Sequence, residues 1–198
     1  MVQSASSAKE GKIAAIAIGA SAGGVDALLR ILSGLPASYR LPIFVVLHMR
    51  DDRESRLTDV FAQHVRVPVR QARDKEDIEA GVLYFAGPGY HLSIEQDRSF
   101  SLSGEDPVHY SRPAIDILMS SAADVYGHAL AGFLLTGANQ DGAEGMANIH
   151  EAGGLTVVQD PKEAQISTMP QAAIDRSQPD LILPLLEMHA LLMKLGTT

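Results

Sequence analysis

Apolar runs of strand length alternate with longer amphipathic segments along most of this chain, and few folds accommodate that rhythm. "KIAAIAIG", "PIFVVLHM", "ALAGFLLTG", "LTVVQD" and "LILPL" are the strand candidates. Helical spacing follows the first at 24–35, where Val25, Leu28, Leu29 and Leu32 share a face, and the second near 54–65 (Leu57, Val60, Phe61, Val65). Further helices are predicted at 112–126, at 141–152, near 169–176 and at the carboxyl end. Strands alternating with helices of this length form βαβ units, because parallel neighbours need a crossover. Residues 67–103 break the pattern with short apolar stretches separated by turn residues, which read as hairpins. The predicted fold is α/β: a doubly wound, mostly parallel sheet flanked by helices, with a short antiparallel β insertion near 67–103.

Length and charge narrow the class. The 198 residues suit one domain, predicted over 12–198 behind a polar, mobile leader at 1–11 that lacks a signal peptide's apolar core. Twenty-four acidic against sixteen basic residues leave a net charge of -8, which argues against a nucleic-acid partner. Cysteine is absent, so disulfides and cysteine-ligated zinc are excluded. No apolar run reaches the roughly 18–20 residues of a membrane span, so no membrane insertion is predicted and a cytoplasmic setting is expected.

In open parallel sheets, ligands bind beyond the carboxyl ends of the strands. Gly19-Ala20-Ser21-Ala22-Gly23 ends the first strand and fits G-x-S-x-G, a tight turn that projects a serine hydroxyl toward a helix amino terminus. Small residues also crowd turns that merely start a helix. A dinucleotide fingerprint is the third reading, but serine stands where its middle glycine must admit pyrophosphate. A nucleophilic serine needs a base, and the base an orienting acid. Of seven histidines, only His48 sits at a strand's carboxyl end; a hydrogen-bonded strand-end histidine would look the same. His91 opens a strand in the insertion, where it could line the cleft or sit at a solvated loop edge. Asp141 lies in the glycine-containing turn after "GFLLTG", as a triad acid or as a helix cap. Three strand mouths thus supply Ser21, His48 and Asp141.

With these motifs in hand, the sequence resembles the catalytic domain of the chemotaxis-receptor methylesterase family, CheB. The resemblance rests on 19–24, 46–49, 86–92, 112–116, 135–146, 151–160 and the Met169-Pro170 pair. It implies a Ser21-His48-Asp141 triad, hydrolysis of glutamate γ-methyl esters on chemoreceptor signalling domains, and in many members deamidation of receptor glutamines. It further implies backbone oxyanion donors at Ala22 and Ala138, Arg112 as a substrate-orienting residue or structural ion pair, and no metal or organic cofactor. Ala22, Leu47, Ala138 and Asn139 replace commoner family residues, leaving an inactive receptor-binding module of the same fold as the alternative. The amino-terminal receiver domain of two-domain relatives has no counterpart in 1–11, so activity without phosphorylation is expected, with a separate regulatory protein as the route left for control.

Overall fold

The computed structural model describes residues 13–49 and 57–196; the leader expected at 1–11 lies outside them. In chain order the elements are β1 (Ala15–Ala20), α1 (Gly24–Leu32), β2 (Ile43–Leu47), α2 (Leu57–Ala62), β3 (Val69–Gln71), β4 (Leu83–Phe85), β5 (His91–Ile94) and β6 (Phe100–Ser103). Then follow α3 (Ile115–Tyr126), a 3-10 turn at Gly127–Ala129, β7 (Leu130–Leu134), α4 (Ala143–Glu151), β8 (Leu155–Gln159), α5 (Thr168–Ser177), β9 (Leu181–Leu183) and α6 (Leu185–Leu195).

Seven strands form one sheet in the order β3-β4-β2-β1-β7-β8-β9, every pairing parallel. The inner strands β1, β2, β4, β7 and β8 are buried on both faces because both are covered. Ile16, Ile18, Val45 and Phe133 point into a core shared with α1, α2 and α6. Ala15, Ala17, Phe44 and Leu134 point into the opposite core, shared with α3, α4 and α5. From β1 the chain moves outward to β2; later β7 pairs with the other side of β1 and the chain moves outward the opposite way. The strand order therefore reverses between β1 and β7, which opens a crevice at their carboxyl ends.

Two expectations change. Of the region read as hairpins, only β5 and β6 pair antiparallel, whereas β3 and β4 extend the parallel sheet. The crossover between β3 and β4 contains no helix. Instead it runs along β6, through Lys75 N–H to Phe100 C=O (2.8 Å), Phe100 N–H to Glu76 C=O (2.9 Å) and Ile78 N–H to Arg98 C=O (3.0 Å). The hairpin thus holds the crossover. Phe100 seals it to the sheet, edge-on to Phe44 (5.7 Å between centroids) and against Tyr84 (4.8 Å). The second change concerns Val25, which is 38% exposed, while Gly24, Ala27, Leu28, Ile31 and Leu32 form the buried stripe of α1. The start of the helix predicted near 54 lies outside the described residues.

Candidate functional site

The three strand-mouth residues converge on the crevice. Ser21 N–H donates to Thr136 C=O at 3.0 Å, tying the end of β1 to the segment after β7. Gly24 N–H closes the turn on Ser21 C=O at 2.7 Å. Gly23 has φ +80°, a backbone conformation that favours glycine, and the Gln165 side chain packs against its Cα. His48 N–H donates to Ala20 C=O at 3.0 Å, seating the ring beside that turn. A cavity of about 650 Å³ opens here, with Ser21, Ala22 and His48 on its polar side and Val25, Leu29, Leu47 and Met49 on its apolar side.

His48 Nε2 lies 2.8 Å from Asp141 Oδ2. Asp141 is fully buried. Burial by itself raises its carboxyl pKa, but hydrogen bonds from His48, Asp116 N–H and Ile115 N–H outweigh burial and hold it below the ordinary aspartate value. The ionised carboxylate can only accept, so Nε2 carries the ring hydrogen and Nδ1 keeps its lone pair.

Asp141 is also a helix cap, though not of the helix that follows it. Its Oδ2 accepts Ile115 N–H (2.7 Å) and its Oδ1 accepts Asp116 N–H (2.9 Å), which caps α3. In return Asp116 Oδ1 accepts Gly142 N–H (2.9 Å) and Gly145 N–H (2.8 Å), which caps α4. Each aspartate satisfies the other helix's orphan donors. Burial, with the neighbouring Asp141 charge, raises the Asp116 carboxyl from 3.8 to about 6, against hydrogen bonds from Gly145 and Gly142 and the nearby His109. His109 Nε2 stands 3.3 Å from Asp116 Oδ2. His109, Asp116 and Asp141 bring three potential metal donors within 4.8 Å of one another. Both Asp141 oxygens and one of Asp116 are already committed to N–H groups, so the cluster is built for helix capping.

The remaining candidates separate. The N–H groups of Ala22 and Ala138 donate to no backbone carbonyl among the described residues, which leaves them available to an oxyanion. His91 is 1% exposed, and its ring nitrogens face Ala114 N–H (3.1 Å) and Asp106 C=O (3.1 Å). It braces the segment leading into α3 and has no edge left for a substrate. Arg112 is exposed and donates through Nη1 to the carbonyls of Gly104 (3.0 Å) and Glu105 (2.8 Å), so the ion pair considered from sequence is replaced by backbone contacts.

Sequence reasoning missed the residues that hold the site together. Thr136 N–H donates to buried Gln159 Oε1 (2.8 Å), its hydroxyl donates to Ala22 C=O (2.9 Å), and it accepts Ile166 N–H (2.9 Å). Asn139 accepts Asp141 N–H (3.2 Å) and donates to His109 C=O (3.3 Å). Polar residues at the ends of apolar strands were the available signal for Thr136 and Gln159. In the sequence Asn139 shows only as a departure from the commoner family residue.

The family model for CheB methylesterase matches residues 16–192. A protein from Leptospira interrogans is 42% identical over 181 residues, covering 91% of this chain and 94% of its own length. The protein-glutamate methylesterase/protein-glutamine glutaminase 2 of Anaeromyxobacter dehalogenans is 38% identical over 191 residues, 96% of this chain but 56% of that relative. The chain spans about half the length of that relative. The crystal structure of the Thermotoga maritima CheB methylesterase catalytic domain superposes with a TM-score of 0.87 at 28% identity, covering 92% of this chain and 98% of that one.

Proposed function

Because the chain belongs to the CheB methylesterase family, we propose that it hydrolyses glutamate γ-methyl esters on chemoreceptor signalling domains in the cytoplasm, with residues 12–198 acting as one catalytic domain. The carrying observation is the pairing of partly exposed His48 with buried Asp141, held beside the glycine-boxed Ser21 turn at the strand-order reversal. In this reading Ser21 Oγ attacks the γ-carbonyl as His48 Nδ1 takes its proton. The N–H groups of Ala22 and Ala138 hold the oxyanion. Methanol departs with the proton from Nδ1, and water then cleaves the acyl-serine through the same base. A glutamine side chain would pass through the same steps with ammonia leaving.

The cavity wall supports an ester substrate. Val25, Leu29 and Met49 suit an uncharged methyl ester, whereas the carboxylate product shares the cavity with Asp26 in a chain of net charge -8. Incubation with methylated receptor fragments should release methanol, and Ser21→Ala should release none while keeping the fold. Methanol release at the wild-type rate from folded Ser21→Ala would sink this assignment. Regulation by a separate protein at the same cleft belongs to the proposal.

A further inference from the structure

The turn at 108–111 is strained and braced. His109 (φ 49°) and Tyr110 (φ 61°) are consecutive non-glycine residues in the left-handed region, which costs free energy that the surroundings must offset. Those surroundings are specific. Val108 and Ser111 exchange backbone hydrogen bonds at 3.1 and 2.9 Å, Asn139 Nδ2 donates to His109 C=O, and the His109 ring meets Asp116. The bracing brings Ser111 Oγ to 3.4 Å from His48 Nδ1, the nitrogen that Asp141 leaves unprotonated. Strain concentrated beside a reactive atom points to function at the residue that it places.

We propose that Ser111 is a positioning residue for His48, partnering Nδ1 through both protonation states of the ring. This rests on the esterase reading above. In the resting enzyme the Ser111 hydroxyl donates to the Nδ1 lone pair. It turns its hydrogen to His109 C=O, 3.5 Å away, to free that lone pair for the Ser21 proton, and then offers a lone pair of its own to Nδ1–H. The second arrangement is charge-assisted and therefore the stronger and shorter one. Ser111 thus favours the imidazolium of the transition state over the neutral ring, and it keeps the ring plane aligned. Among the described residues, the other titratable groups around His48 are Asp141, with Asp116 and His109 behind it, and Asp26 on the α1 side of the cavity.

The test compares Ser111→Ala and Ser111→Thr in the full chain. Loss of the hydroxyl should lower kcat roughly tenfold, the size of one charge-assisted bond, with KM changed less than about twofold. The acid limb of the pH–rate profile should move to lower pH, since the base weakens. Ser111→Thr should restore most of kcat and the original limb. In 15N spectra the His48 Nδ1 resonance should shift in Ser111→Ala and return in Ser111→Thr. An unchanged profile and resonance in Ser111→Ala would overturn the proposal, as would equal losses in both variants. Abolished turnover in Ser111→Ala alongside an active Ser21→Ala would make Ser111 the nucleophile and overturn it too. Wild-type protein that releases no methanol counts against the esterase reading alone, because the Nδ1 resonance still reports the contact.

Discussion

Asp141 does two jobs with two oxygens: it holds the His48 ring and receives the first N–H groups of α3. The substitution Asp141→Asn should therefore fail twice. An amide can present the wrong hydrogen-bond polarity to Nε2–H, and turnover should fall by roughly 10⁴-fold if the acid acts as it does in serine proteases. The amide N–H₂ would also face backbone donors, lowering stability by about 1–3 kcal/mol in a denaturant titration. A correctly folded Asp141→Asn protein with only a mild loss of methanol release would demote Asp141 to a helix cap. Thr136 belongs to the same argument. Thr136→Val removes the hydroxyl that Ala22 C=O and Ile166 N–H share, and should cost about 1–2 kcal/mol while slowing turnover through a loosened Ser21 turn.

Helices α3 and α4 depend on each other's aspartates, which couples stability to pH. The folded-state carboxyl of Asp116 titrates at about 6 against 3.8 in an ordinary aspartate. The folded chain therefore binds this proton more tightly than the unfolded chain. Its contribution is fully present below about pH 4, declines as pH rises through about 4–6, and is gone above about 6, a span of about 3 kcal/mol. Asp141 works in the opposite sense, but only below the ordinary aspartate range, because its pKa is depressed. Urea titrations should accordingly show wild-type stability rising from pH 7 to pH 5, with Asp116→Asn flattening that rise. An identical rise in Asp116→Asn would place the titrating group elsewhere. Asp116→Ala should instead strip the Gly142 and Gly145 N–H groups of their acceptor and destabilise the protein by about 2–4 kcal/mol near pH 5, and by less at pH 7, where the buried ionised carboxylate already costs the wild type stability.

Across the molecule, the crevice exists because β7 pairs with β1 on the side away from β2, and helices leave the two strand mouths toward opposite faces. The edge beyond β2 is held differently: the β5–β6 hairpin substitutes for a helix and clamps the β3–β4 crossover. Phe100 is its anchor, fully buried against Phe44 and Tyr84. Phe100→Ala should cost about 3–5 kcal/mol, and amide exchange should rise first in 74–78 and 98–103. Because Phe100 packs on Phe44 and Tyr84 rather than on Ser21, His48 or Asp141, kcat of the variant that remains folded should stay near wild type. Exchange rising equally everywhere would mean that the hairpin is no separate clamp.

The alternation of strands and helices could be read locally, since period and length are properties of consecutive residues. The convergence of Ser21, His48 and Asp141 was legible for a related reason: a parallel sheet sends every strand's carboxyl end to one edge, so residues at three such ends must share it. Pairing could not be read that way. His48 and Asp141 are 93 residues apart, and β3 looked like half of a hairpin because nothing in three residues states which neighbour it takes. Only packing buried His91, exposed Val25 beside the cavity and made Asp141 the cap of α3. The same holds for Asp116 and Ser111, whose partners lie on elements brought together by the fold. A buried polar atom needs a partner, and which atom answers depends on three-dimensional neighbours that sequence spacing does not encode.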